Sequence, residues 1–181
     1  TLESRGLGDV YKRQVIDAEA DTGNAINLDG DFLVTITPAG SAAATDLSGI
    51  NDATSGLVTA TNVTQITGTL SAIKTVTDAE ADTGNAINLD GNFTATVSDT
   101  GSVAASDLTS VSLKTTGNIT ATGVTTITGT ANQIATLIGD EADSGDGVNL
   151  ASNVKATVTG EAAAADLTTI NNGTTGLVTA T

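Results

Sequence analysis

The chain has 181 residues and a formal net charge of −15, from 21 acidic and 6 basic residues, and it contains no Cys, His, Met or Trp. That charge disfavours nucleic acid and anionic membranes as partners, because both are bound through Lys and Arg. The lack of His and Cys removes most nucleophile, general-base, zinc and redox chemistry. With two Phe and one Tyr, the sequence also lacks the aromatic residues that usually fill a wide core.

The first fourteen residues differ from everything that follows. They hold three of the six basic residues and the only Tyr, and residues 4–14 read SRGLGDVYKRQ. This string resembles the translation of a sequencing-library adapter. We therefore expect residues 1–14 to be an adapter-derived artefact outside the fold. The chain itself is then a metagenomic gene fragment, and we expect both of its ends to be cut.

Residues 15–181 are predicted to form one repeat array. Glu19, Glu80 and Glu141 are equivalent and follow one another at intervals of 61 residues. The copies span about 15–75, 76–138 and 139–181, and the last copy is truncated. Each period divides into two related units of 26 and 35 residues. A repeat this regular predicts that each unit buries its apolar face on its neighbours.

Short strands are predicted where apolar and polar residues alternate, because a period of two indicates one buried and one exposed face. In chain order the alternating apolar residues are Val58 and Ala60; Phe93, Ala95 and Val97; Ile119 and Ala121; and Val154, Ala156 and Val158. Short helices are predicted between the strands. They cover Ala43–Ile50, Leu70–Val76, Val103–Leu113, Thr130–Ile138 and Ala162–Ile170. Helices this short are unstable alone and need a sheet to dock on.

Strands that alternate with helices in this way predict parallel strands joined by crossovers. We therefore expect an α/β repeat solenoid, in which short parallel β-strands alternate with short helices. An all-β solenoid is the alternative. A chain of β-sandwich modules fits less well, because sandwiches of this size have a larger apolar core.

An acidic turn after the second helix of each period is the candidate metal site. Carboxylates at alternate positions before a Gly are suited to calcium, which takes several oxygen ligands. The candidate ligands are Asp17, Glu19, Asp21, Asp78, Glu80, Asp82, Asp140, Glu141 and Asp143. The other interpretation is a solvated turn that keeps a repetitive protein soluble. We predict no other cofactor and no catalytic residue, since the acidic groups recur with the period whereas an active site is built once.

Threonine pairs are the second repeated feature. They occur at Thr59/Thr61, Thr94/Thr96, Thr120/Thr122 and Thr157/Thr159. Stacked in register, they would form an outward ladder of hydroxyl groups, an arrangement that suits a glycan or an ice surface. The other interpretation is that Thr is simply a favourable residue on the exposed face of a strand.

Two stretches resemble the repeats of giant cell-surface or secreted proteins of marine cyanobacteria and related bacteria. They read AASDLTSVSLKTTGN over residues 104–118 and TATGVTTITGTANQIATLI over residues 120–138. The resemblance extends over Val15–Thr181 and implies an extracellular or cell-surface location, in surroundings that contain calcium. The Gly-Asp nonapeptide of calcium-repeat exoproteins is not present in this sequence.

The sequence thus predicts a structural spacer of a large extracellular or cell-surface protein, of the adhesin kind, and not an enzyme. The alternative is a binding module that uses the acidic turns for calcium or the Thr faces for glycan or ice. The expected partners are neighbouring repeats of the same chain and a cell-surface glycan or matrix. Neither nucleic acid nor membrane insertion is expected, the latter because no run of about 18 apolar residues occurs.

Overall fold

The computed structural model describes residues 2–3, 29–37, 39–80, 86–141 and 147–181. Within these ranges the protein has an α/β fold in which short parallel strands alternate with helices. The strands are β1 (Leu2–Glu3), β2 (Val34–Thr35), β3 (Gly40–Ala43), β4 (Val58–Ala60), β5 (Val63–Gly68), β6 (Ile87–Leu89), β7 (Thr94–Val97), β8 (Ser102–Ala104), β9 (Ile119–Ala121), β10 (Thr126–Gly129), β11 (Val148–Leu150), β12 (Lys155–Val158) and β13 (Val178–Ala180). The helices are α1 (Ala44–Asp52), α2 (Leu70–Ala79), α3 (Ala105–Ser112), α4 (Ala131–Glu141) and α5 (Ala164–Gly173).

The strands form three parallel sheets. The first has the order β1-β2-β4-β6, the second β3-β5-β7-β9-β11, and the third β8-β10-β12-β13. Every pairing is parallel, and from β2 onward each pairing joins strands that are separated by one helix in the chain. This connection through a helix is the usual one for parallel strands, which cannot be linked by a tight hairpin.

We use the word pass for a part of the chain that runs through two or three of the sheets, with one strand in each, and ends in a helix. The pass that ends in α2 contains β4 in the first sheet and β5 in the second, whereas the next pass contains β6, β7 and β8, one in each sheet. The sequence pattern predicted a single strand before each helix. It missed the strands that share a pass with a predicted one: β5 with β4, β6 and β8 with β7, β10 with β9, and β11 with β12. In β5 the buried residues Val63 and Ile66 are three apart, so the alternation of a regular strand is absent.

The inward faces of the strands carry the core. In the second sheet Ile66, Ala95, Ile119 and Val148 lie side by side in register and are almost completely buried. The predicted alternation is confirmed here, since Ala95 and Val97 are buried and the residues between them are not. The predicted helical faces are confirmed too: Ile73 in α2 and Ile134 and Leu137 in α4 are fully buried. Apolar burial of this kind is the main stabilising contribution to the fold.

Two residues of the N-terminal segment take part in the first sheet. Leu2 and Glu3 pair with Val34 and Thr35. β1 is thus the neighbour of β2 in the first sheet, in the same way that β5 is the neighbour of β7 in the second sheet and β10 is the neighbour of β12 in the third. The rest of this segment lies outside the described residues, and its origin as an adapter artefact stays a prediction.

The helix that begins after Thr130 has a reciprocal cap. The Thr130 hydroxyl accepts a hydrogen bond from the Gln133 N–H at 3.3 Å, and the Thr130 N–H donates to Gln133 Oε1 at 3.0 Å. This is the capping-box arrangement, and it confirms Thr130 as the predicted N-cap. α2 is capped by Thr69 and also by the next pass, because the Leu70 N–H donates to Asp99 Oδ2 at 2.7 Å.

A threonine and a glycine join the segment that follows each of the helices α1, α3 and α5 to the preceding pass of the chain. After α1, the Thr54 hydroxyl donates to the Phe32 carbonyl at 2.6 Å and accepts from the Gly56 N–H at 2.9 Å. The same two bonds recur after α3 and α5, with Thr115 and Thr174 in place of Thr54. We call this arrangement the Thr–Gly clamp.

The clamp requires its glycine because the backbones of the two passes touch there. A Cβ atom added at Gly56, Gly117 or Gly176 would lie within 3.0 Å of carbonyl oxygens of the preceding pass. The residue between Thr and Gly adds a further bond: the N–H groups of Ser55, Thr116 and Thr175 donate to the preceding pass at 2.8–2.9 Å. The turn at each of these glycines therefore joins two passes of the chain.

Candidate functional site

The acidic segments and the Thr–Gly clamps follow different helices in the chain. The Thr–Gly clamp follows α1, α3 and α5, whereas the acidic segments follow α2 and α4. Of the predicted calcium ligands, Asp17, Glu19, Asp21, Asp82 and Asp143 lie outside the described residues. Asp140 and Glu141 are the last two residues of α4, and Asp78 lies in the last turn of α2. The helices therefore run further into the acidic segments than the sequence predicted.

Asp78 is engaged in an ion pair on the helix surface. Its Oδ2 accepts a hydrogen bond from Lys74 Nζ at 2.6 Å, one helical turn earlier. This bond and the charge of Asp78 raise the pKa of Lys74 above its ordinary value. Both side chains are partly exposed, and i,i+4 pairs of this kind contribute little to stability.

Among the described acidic residues, Glu80 has a carboxyl group whose pKa is shifted from its ordinary value. It caps the C-terminal end of α2 and is half-buried. Burial raises its pKa above the ordinary value, and the positive charge of Lys114, which follows α3, partly opposes this. Desolvation of this kind disfavours the charged form of a carboxyl group.

A buried oxygen atom without a hydrogen-bond donor among the described residues belongs to Asn118, the residue before β9. It is the Oδ1 atom of the side-chain amide. The next residue, Ile119, donates its backbone N–H at 3.1 Å to the carbonyl of Gly147, which follows the acidic turn in sequence. The equivalent residues in the other copies are Leu57 and Leu177, so this oxygen is specific to the second copy.

These groups do not form a metal centre within the described part of the chain. Among the residues placed there, no three acidic side chains come close enough together to hold an ion. Most of the predicted calcium ligands fall outside those ranges. The calcium site therefore stays a prediction, and the candidate ligands within the described residues are Asp78, Glu80, Asp140 and Glu141.

The outward faces of the three sheets carry threonines in register. In the second sheet Thr67 lies opposite Thr96, and Thr96 opposite Thr120. The corresponding rows are Thr35 and Thr59 in the first sheet, and Thr128, Thr157 and Thr179 in the third. We call these rows the threonine ladders. Neighbouring strands are about 4.8 Å apart, so successive threonines recur at that spacing.

The ladders include only part of the predicted threonine set. Thr59, Thr96, Thr120 and Thr157 lie in them, whereas Thr61, Thr122 and Thr159 follow the ends of strands. Thr94 lies opposite Gln65 in the neighbouring row. The sequence analysis missed Thr35, Thr67, Thr128 and Thr179, although each of them also begins a Thr-x-Thr pair in the sequence.

Several ladder hydroxyls are already bonded within the protein. Thr67 Oγ1 donates to the Ala42 carbonyl at 3.4 Å, and Thr128 Oγ1 donates to the Val103 carbonyl at 3.2 Å. The Thr96 hydroxyl accepts from Gln65 Nε2 at 3.2 Å. The ladders therefore link adjacent strands. Their outer surface is half-buried, and it combines apolar methyl groups with the remaining polar lone pairs of the hydroxyl groups.

Comparison with known proteins adds no relative to this description: no protein-family model, no curated protein and no solved structure matches the chain. Within the described ranges, no helix combines the length and the apolar character needed to cross a membrane.

Calcium is expected to raise the melting temperature of the protein by about 5 °C or more at a concentration far above its dissociation constant, because a ligand of the native state stabilises it. Circular dichroism melts in millimolar calcium and in chelator measure this shift. An Asp82→Asn/Asp143→Asn variant, which leaves only the first acidic segment unaltered, should lose most of the shift. A control with the exposed Asp31 and Asp52 changed to Asn should retain it. Identical melts of the unaltered chain with calcium and with chelator would exclude the calcium site.

Proposed function

We propose that this chain is a spacer segment of a large extracellular or cell-surface protein, and that its passes form an α/β solenoid. Such a segment acts mechanically, by holding a binding or anchoring module of the same protein away from the cell. The observation that carries the proposal is the Thr–Gly clamp, which recurs after α1, α3 and α5 with the same bonds to the preceding pass.

The pairing order supports a linear arrangement of passes. In the second sheet, five successive passes contribute β3, β5, β7, β9 and β11 in that order. The helices follow the same order, because α2 packs on α1, α3 on α2, α4 on α3, and α5 on α4. Contacts between nearest neighbours are what define a solenoid, in which stability grows with each added repeat.

The amino-acid composition suits an extended repeat array better than a protein with one wide, compact core. The described core is built from Ile, Leu, Val and Ala, with Phe93 as its one fully buried aromatic residue in the described ranges. The charge of −15 keeps a long repetitive surface soluble. The resemblance to giant surface proteins favours an extracellular location and a role in adhesion. A spacer of this kind needs no catalytic residue.

Small-angle X-ray scattering of a lengthened chain tests the proposal. Three further copies of residues 78–138, inserted after Ile138, would add six passes. We expect the maximum dimension to rise by about 30 Å, because each pass adds about 4.8 Å. The cross-sectional radius of gyration should stay unchanged.

The matched control carries the same inserted residues in scrambled order, which keeps length, composition and charge. The scrambled insertion should broaden the scattering profile of the chain. It should not produce a longer rod of the same cross-section. A cross-section that grows with the intact insertion would contradict the solenoid, and with it the spacer function.

The threonine ladders support a second candidate function, the binding of a flat hydroxylated surface such as a crystalline glycan or ice. The supporting observation is the register of Thr67, Thr96 and Thr120 across three neighbouring strands. A Thr96→Val/Thr120→Val variant keeps the shape of the ladder and removes its hydroxyls. It should lose retention on insoluble polysaccharide or inhibition of ice recrystallisation, whereas a variant with the exposed helical Thr75 and Thr169 changed to Val should not. Absence of both activities in the unaltered chain would eliminate this candidate.

A further inference from the structure

Two turns of the chain place an Asp-Gly pair in the segment that receives the Thr–Gly clamp. Asp29–Gly30 and Asp90–Gly91 occupy equivalent positions 61 residues apart, where the third copy has Ala151–Ser152. Each turn is closed by a backbone bond to the Asp carbonyl, from the Phe32 N–H at 3.0 Å and from the Phe93 N–H at 3.2 Å. The first two copies therefore share a pair that the third copy lacks.

The glycine carbonyl of each pair accepts a bond from the segment that carries the clamp. The Ser55 N–H donates to the Gly30 carbonyl at 2.8 Å, and the Thr116 N–H donates to the Gly91 carbonyl at 2.9 Å. The Asp-Gly pairs are thus part of the contact between one pass and the next. A chemical change in the backbone of either pair would alter that contact.

The surroundings of both pairs leave room for the aspartate side chain to close a ring on the backbone. A glycine has no Cβ to hinder the approach of its nitrogen to the preceding carboxyl group, and a Cβ added at Gly30 or Gly91 would meet nothing within 4 Å. Within the described residues, neither glycine N–H donates a hydrogen bond. The exposed Asn92 side chain, with its amide turned to donate, lies 3.0 Å from Asp90 Oδ2, a contact that water can replace.

We propose that Asp29 and Asp90 are modification sites, at which the folded chain isomerises to isoaspartate and thereby loosens the clamp. The glycine nitrogen attacks Cγ of the aspartic acid, an N–Cγ bond forms, and the Cγ–O bond breaks. The proton of the nitrogen leaves with the carboxyl hydroxyl as water, and a cyclic imide remains. Water then adds to the main-chain carbonyl carbon of the imide, and the bond from that carbon to the glycine nitrogen breaks. The overall step needs no reactant except water.

Isomerisation changes the groups to which the clamp is bonded. The main chain now runs through Cβ and Cγ of the aspartate, so it is longer by one methylene group, and the former peptide carbonyl becomes a carboxylate. In the second copy, the turn bond from Phe93 to Asp90 is lost as a peptide bond partner, and the carbonyls of Gly91 and Phe93 shift. Those two carbonyls accept from Thr116 and Thr115, respectively. This effect does not depend on the spacer function.

Incubation of the folded chain in water enriched in oxygen-18, at neutral pH for several weeks, measures the reaction by peptide mapping. We expect isoaspartate and heavy oxygen at Asp29 and Asp90, because each passage through the imide adds one oxygen from water. Gly91→Ala should slow the labelling of Asp90 about tenfold or more, since its Cβ hinders the attack. Labelling of Asp29 in the same variant should be unchanged and serves as the internal control.

An Asp29→Glu/Asp90→Glu variant is the matched control for stability. Glutamate keeps the charge but needs a larger ring, which closes much more slowly, and the variant retains other susceptible pairs such as Asn172–Gly173. After the same incubation, the unaltered chain should show a second melting transition about 3 °C or more below the original one, whereas the variant should shift by about 1 °C or less.

Each outcome decides the proposal. Labelling at Asp29 and Asp90 together with the lower transition supports it. A folded chain that stays unlabelled would overturn it, and labelling of a synthetic peptide of residues 86–97 would then show that the folded turn protects the pair. Labelling without a lower transition, or equal melting changes in the unaltered chain and the Asp29→Glu/Asp90→Glu variant, would overturn the link between the modification and the clamp.

Discussion

The bond from a buried threonine hydroxyl to the carbonyl of the preceding pass is the interaction on which the rest of the structure depends. At Thr115 this bond goes to Phe93 and measures 2.5 Å, and the same hydroxyl accepts from the N–H of Gly117 at 2.9 Å. A buried hydroxyl that lost either partner would leave a polar group unsatisfied, which costs about 1–3 kcal/mol. The glycine is equally required, because its bare Cα lets the two backbones approach.

The clamp sets the distance between passes, and the other features follow from that distance. With the backbones held at strand spacing, the small residues Ala95 and Ala121 suffice to fill the inward rows, and the outward threonines fall into register. The acidic segments follow the alternate helices α2 and α4, where charged groups such as Glu80 stay partly in contact with solvent. Fastening passes by local contacts suits a spacer, since each period holds its neighbours in the same way.

Much of this fold could be predicted from the sequence, because the 61-residue period and the alternation at Ala95 and Val97 are strong signals. The further strands β5, β6, β8, β10 and β11 were not predicted; in β5, for example, the buried residues Val63 and Ile66 are three apart, whereas a regular strand buries every second residue. The role of Thr115 was also hidden, because a buried threonine and an exposed one look alike in sequence. The candidate calcium site was predicted from the spacing of acidic residues alone, and it stays a prediction because five of its nine candidate ligands lie outside the described residues.

The free energy of unfolding of a Gly117→Ala variant tests the central role of the clamp most directly. A Cβ at this position meets the carbonyls of Asn92 and Phe93, whereas at Gly91 it meets nothing within 4 Å. Urea titrations should show a loss of about 2–3 kcal/mol for Gly117→Ala, and a change within about 0.5 kcal/mol for Gly91→Ala. Equal stabilities of the two variants would contradict the claim that close backbone contact at the clamp holds the passes together.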